Sequence, residues 1–202
     1  MFLLALLILF QDESQVTDDW VIVEPPRIGA KFKMPSRPEF SEQAIKPVED
    51  RAEIVVRSRL VTSPDGKSSF TFVYHDEPQK PRSRTKVNAV LDGAITGAIA
   101  LVNGDLVTQS EIFVKNNKGR DFVYKCELED LKYQKTLNLR IRSRILLVGS
   151  RLYSMNYIAE AESYDNKLAE SYFDSFELVS KPGDLPPKPR PGRARELSLI
   201  HI

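Results

Sequence analysis

Cysteine and histidine are scarce in this chain of 202 residues, which holds one of the first, Cys126, and two of the second, His75 and His201. One thiol excludes an internal disulfide, so the fold must rest on its core. So few nitrogen and sulfur ligands also leave a zinc site, which takes three or four protein ligands, without material. Charge of one sign is lacking too. The 29 basic and 28 acidic residues give a net charge of +1, which argues against the strongly basic surface of a dedicated nucleic-acid binder. There is no membrane-length apolar run. Residues 1–10 are the longest such stretch, half of the about 20 residues a helix needs to cross a bilayer. No Gly-x-Ser-x-Gly nucleophile turn and no glycine-rich phosphate loop occurs. No cofactor is therefore expected.

The two ends differ from the rest. Residues 1–10, MFLLALLILF, precede the polar QDESQ. The length suits the apolar centre of a secretory signal. A basic residue before it and a small-x-small cleavage site after it are missing, and a buried N-terminal arm is the alternative. The expectation is a signal-like or disordered segment over residues 1–19, with export to the periplasm or the extracellular space. At the other end, KPGDLPPKPRPGRAR over residues 181–195 is rich in proline and basic residues and reads as a polyproline-like tail. The last six residues, LSLIHI, match a translated sequencing-adapter end, so His201 is given no functional weight.

Between them, residues 20–180 fit one domain long enough to bury a core. AEIVVRSRLVT (52–62) and SSFTFVYH (68–75) alternate with period two around a Ser-Pro-Asp-Gly turn and predict a hairpin. Val87, Leu91, Ile95, Ala98 and Val102 then follow the helical period and predict a long amphipathic helix, which Asn103-Gly104 stops. On this helix Gly93 and Gly97 predict close packing on a sheet, and Asp92 is expected on the solvent side. Strands over 106–114, 120–129, 137–148 and 151–160 form a meander, and a short helix over 164–173 closes the chain with a short end strand. The fold class is α+β: one domain, an antiparallel sheet packed against a long helix and a short C-terminal helix.

Four phrases carry a resemblance: Phe32-Lys33-Met34-Pro35, Gly119-Arg120-Asp121-Phe122, Arg151-Leu152-Tyr153 and Phe173-Asp174-Ser175-Phe176. With the order of elements, they make residues 29–179 similar to the PsbP/Mog-type α+β fold. The resemblance implies a non-catalytic domain, since such domains include photosystem accessory proteins, a Ran-binding factor and exported bacterial domains.

Among chemistry-bearing residues, His75 sits in Tyr74-His75-Asp76-Glu77. It could join a metal cluster, but solvated strand-end polarity is the simpler reading. Cys126 alternates with Phe122, Tyr124 and Leu128 and reads as a buried, inert thiol. Arg140, Arg142 and Arg144 share one face of one strand, and Arg151 begins the next. Guanidinium groups in a row could grip carboxylates or phosphates. The alternative is a solvated face balanced by Glu127, Glu129, Asp130 and Glu160. The function expected is a non-catalytic exported binding or accessory domain, its partner a protein or anionic ligand of the cell envelope. The competing reading is a ligand carrier or small enzyme with a cleft between the long helix and the sheet.

Overall fold

The computed structural model of the chain describes residues 20–25, 28–45, 54–63, 66–130 and 135–179. The expectations for the signal-like segment and the proline-rich tail lie outside these residues.

The order of elements is β1 (Val21–Val23), β2 (Ala30–Met34), β3 (Glu39–Ile45), β4 (Ile54–Thr62), β5 (Ser68–Asp76), α1 (Arg84–Leu101), β6 (Asp105–Val114), β7 (Asn117–Asp130), β8 (Lys135–Val148), β9 (Arg151–Glu160), a 3-10 turn, α2 (Asn166–Asp174) and β10 (Glu177–Leu178). Seven strands form one antiparallel sheet in the order β3-β4-β5-β9-β8-β7-β6, and β1-β2-β10 form a second, small sheet. The class is α+β, and the described residues form antiparallel sheets, two helices and mostly strand.

Period-two alternation gives the large sheet two distinct faces. One face carries Phe70, Phe72, Tyr153, Met155 and Tyr157, which form a core with Phe32 and Met34 of the small sheet and Tyr172 and Phe173 of α2. The Phe32 and Phe72 rings stack with centroids 4.0 Å apart. Tyr172 donates its hydroxyl to the Thr71 carbonyl at 2.7 Å, which satisfies the one polar atom of a fully buried ring. The opposite face carries Phe122, Tyr124, Cys126, Ile141, Ile145, Leu152 and Ile158, against Leu91 and Ile95 of α1.

Helix α1 starts where Ser83 accepts a hydrogen bond from the Lys86 N–H, an N-cap. At its other end Asn103 takes the left-handed conformation, φ 49°, and the Gly104 N–H donates to the Ile99 carbonyl at 3.0 Å. Gly104 serves a different need: a Cβ there would lie 2.8 Å from the Lys125 carbonyl oxygen. Gly119, in the Gly-Arg-Asp-Phe phrase, likewise lies against the Ile145 carbonyl. Gly93 and Gly97 correct the expectation of close glycine packing. Both are exposed, with open space where a side chain would be. The small residues turned toward the core are Ala94 and Ala98.

Asp92 lies on the exposed side of α1, as expected, and has a partner there. Its carboxylate accepts from Arg120 Nη2 at 3.2 Å, and Arg120 is buried. Arg120 also donates to Asn88 and Glu111. One guanidinium thus ties α1 to β6 and β7.

Candidate anion-binding face

Arg140, Arg142 and Arg144 lie on the aromatic face of β8, where the pleat puts every second residue. Their neighbour across the ladder is β7, whose Asp121 stands opposite Arg144. Arg142 grips Asp121 with both ends of its fork, Nε to Oδ1 at 3.0 Å and Nη2 to Oδ2 at 3.1 Å. Arg144 donates Nε to Oδ2 at 3.0 Å. The Asp121 side chain is only 11% exposed, so this carboxylate sits inside the cluster. Bidentate, partly desolvated pairs of this kind are the strong ones. Asp121 holds the Arg142 guanidinium above its usual range, chiefly through the hydrogen bond and against the cost of burial.

The end of α2 covers this pair. Asp165 caps the helix by accepting from the Lys167 and Leu168 N–H groups, and the helix presents Phe173 to the arginines. The Arg142 and Arg144 guanidinium carbons lie 4.9 and 5.2 Å from its ring centroid. Arg144 also donates Nη1 to the Phe173 carbonyl at 3.0 Å and lies 3.5 Å from Asp174. Arg140 differs from both. It is exposed, and its guanidinium stacks over Tyr164 at 4.5 Å. Among the described residues no carboxylate is within ion-pairing distance of it.

Beyond Arg140 no described element covers the aromatic face. An open groove of about 770 Å³ runs past Asp105, Lys125, Glu127, Glu129, Asn138 and Arg140. It carries both signs of charge, and Arg140 and Lys125 sit side by side on paired strands.

Arg151 is not part of this cluster. It lies opposite Val148, past Leu146 and Val148 from Arg144. Its fork is bound to Asp76 at 2.8 and 3.1 Å, it donates to the Ile28 carbonyl, and it stacks over Tyr74 at 5.4 Å. Burial works against its charge, and the Asp76 hydrogen bond and charge outweigh that, leaving it above its usual range. The balancing acids differ from those the sequence suggested. Glu160 pairs with Lys135, while Asp121 and Asp76 hold the arginines.

His75 is buried inside β5 rather than solvated at a strand end, and its Nε2 is 3.1 Å from Glu77 Oε1. Asp76 points to the other face, toward Arg151, so the run His-Asp-Glu does not converge. Among the described residues no three His, Cys, Asp or Glu side chains are placed to share a metal ion. Cys126 is buried, which pushes its thiol up to about 11. At neutral pH such a thiol is protonated and a poor nucleophile.

The space between α1 and the sheet, lined by Ala94, Ala98, Phe122, Tyr124, Ser154 and Asn156, amounts to about 40 Å³. Ligand pockets run from about 300 to 1,000 Å³. Its polar lining is also satisfied internally: Asn156 donates to Thr71 at 2.8 Å and accepts from Ser143 and Ser154.

By sequence, no family model and no curated protein matches the chain. By structure, it is similar to the solution structure of cyanobacterial PsbP (CyanoP) from Synechocystis sp. PCC 6803. The TM-score is 0.52 at 10% identity, over 85% of this chain and 99% of that one. A crystal structure from Bacteroides thetaiotaomicron VPI-5482 has a TM-score of 0.43 at 13% identity, over 79% of this chain and 48% of that one. At such identities the likeness is one of fold, and that fold is the PsbP-type α+β fold.

Proposed function

We propose that the chain is an exported, non-catalytic binding or accessory domain that holds an acidic segment of a cell-envelope partner along the groove beside Arg140. The observation that carries this reading is the contrast within the arginine row. Arg142 and Arg144 share one partly buried carboxylate, whereas Arg140 faces the groove with Lys125 beside it and a tyrosine ring behind it. A guanidinium already oriented by an aromatic ring loses little freedom when it binds. The mixed charges of the groove suit an acidic polypeptide segment with occasional basic residues, which Asp105, Glu127 and Glu129 can meet, better than a simple anion. The apolar run of residues 1–10 supports export. Among the described residues no helix is long and apolar enough to cross a membrane.

The fold likeness to cyanobacterial PsbP supports an accessory role. The cleft reading has less support, since the space under α1 is of water scale.

The test uses Arg140→Gln, which leaves the Asp121 cluster intact. Immobilised peptides with alternating acidic residues should retain the wild-type chain at low salt. Retention should fall as ionic strength rises, because exposed charges are screened over about 8–10 Å at moderate salt. Arg140→Gln should bind several-fold more weakly at an unchanged melting temperature. Equal retention of both proteins removes the row as a site. Retention by vesicles of anionic lipid, and not by peptides, assigns it to a membrane headgroup instead.

A further inference from the structure

The large sheet ends in two edges, β3 and β6. An unpaired edge is a template for another strand, and proteins usually guard it with charge, proline or cover. Edge β3 is guarded. It carries Glu39 and Glu42, and its Phe40 ring lies under Arg59 at 3.9 Å. Edge β6, with the sequence DLVTQSEIFV, also carries two acids, Asp105 and Glu111, and differs from β3 in its share of exposed apolar side chains. Of the six exposed large hydrophobic residues among those described, three are on β6: Leu106 at 47%, Val107 at 51% and Phe113 at 63% exposed.

The order of these residues is self-complementary. In an antiparallel ladder hydrogen-bonded and non-bonded pairs alternate. A two-fold pairing of a strand with its own copy must therefore put one residue opposite itself. A centre at Gln109 sets Val107 against Glu111 and Asp105 against Phe113. A centre at Ser110 sets Gln109 against Glu111, Thr108 against Ile112, and the apolar ends Leu106-Val107 against Phe113-Val114. Only the second matches apolar with apolar along the strand.

A knob and a socket then fall into line. Gln109, Glu111 and Phe113 stand opposite Phe122, Arg120 and Lys118 of β7, on the α1 side of the sheet. The register shift between Leu106 and Thr108 leaves Val107 as the extra residue and keeps Leu106 on that same side, opposite Tyr124. There Leu106, Ile95, Ile99, Ala100 and Gln109 line a groove of about 360 Å³ between β6 and α1. The two-fold at Ser110 brings the Phe113 ring of a second copy to the Leu106 end of this groove.

We propose that the chain self-associates through β6, two copies pairing antiparallel about Ser110 so that Phe113 of each enters the other's Ile95–Ile99–Leu106 groove. Each aromatic anchor buries about 150–250 Å². Two anchors and one short ladder lie near the lower bound of a stable interface, about 1,200 Å² in total. The dimer is accordingly reversible and concentration-dependent, and it joins two seven-stranded sheets into one.

Sedimentation velocity on the full chain, from micromolar to near-millimolar concentration, tests this. A monomer–dimer equilibrium is expected. Phe113→Ser should weaken it at least about tenfold, as the loss of a central aromatic anchor does. Its circular dichroism melt at monomeric concentration should match wild type. Gln109→Lys, placed against Glu111 of the second copy, should tighten the dimer, and Gln109→Glu should loosen it, each by about tenfold over two symmetric pairs. A chain that stays monomeric throughout overturns the proposal. So does a dimer indifferent to Phe113→Ser, or one that moves the same way for both Gln109 variants.

Discussion

The two faces of the central sheet are finished to different degrees. Over β5, β9 and the Arg142–Arg144 end of β8 the aromatic face is closed by two elements, the small sheet and α2. Its rings Phe32, Phe70, Phe72, Tyr153, Tyr157 and Tyr172 are all 1% exposed or less. The opposite face has one cover, α1, which fully buries only Leu91 and Ile95 and leaves Val87, Val90 and Ile99 partly buried. A helix is narrower than a seven-stranded sheet, about 10–12 Å with side chains against strands about 4.8 Å apart. One helix cannot seal such a face out to its edge. The aromatic side is therefore where stability concentrates, and the helical side is where apolar surface is left to offer.

Mutations can break that contrast or sharpen it. The largest loss is expected from Phe72→Ala, which removes a ring stacked on Phe32 in a fully closed site. Such truncations cost about 3–5 kcal/mol, measured by urea denaturation. Ile95→Ala on the helical side should cost about 2 kcal/mol, the low end for buried aliphatics, because the adjoining groove lets the site collapse. If the two losses are equal or reversed, the faces are not unequal in the way described. Asp92→Ala should cost about 1 kcal/mol. It withdraws one carboxylate from buried Arg120, which keeps Asn88, Glu111 and the Gly119 carbonyl. No change in the denaturation midpoint would mean that the Asp92–Arg120 pair adds nothing to the hold on α1. Smallest is Gly97→Ala, expected to stabilise by about 0.5–1 kcal/mol, since the position is helical and open. Gly104→Ala should have the opposite sign, and a matched pair of melts checks both.

Much of this architecture was legible in the residues. The Phe70, Phe72, Tyr74 alternation, the helical period from Val87 to Ile99 and the meander after Gly119 are local patterns, and the structure contains all of them. Strands β1 and β3 were not legible. Val21–Val23 is too short to show a period, and Glu39–Ile45 lies on a solvated edge where no alternation is demanded. The segregation of β2 with β1 and β10 into a second sheet is a long-range choice with no local signature. At the candidate site, the shared face of Arg140, Arg142 and Arg144 was readable from spacing. The role of Asp121 was not, because it depends on the register of β7 against β8. The pairing of exposed Asp92 with Arg120 was hidden for a related reason: Arg120 looks like any strand arginine until the helix is laid over it.

The chain order of the sheet has a consequence for how the molecule is made. Strands β3, β4 and β5 pair with their sequence neighbours, and so do β6, β7, β8 and β9. These two local halves meet along one seam, β5 against β9, where Asp76 and Arg151 bond across 75 residues. Pairings so distant in sequence bear the loop-closure entropy that slows folding. Helix α1 spans the gap, leaving the middle of the sheet at β5 and delivering the chain to its far edge at β6. The Asp76–Arg151 clasp and the Phe70–Tyr157 contact lie on that seam, so the aromatic core is complete only when the two halves meet. A chain cut between residues 77 and 83 would leave two pieces with two ladders between them, β5 on β9 in the large sheet and β2 on β10 in the small one.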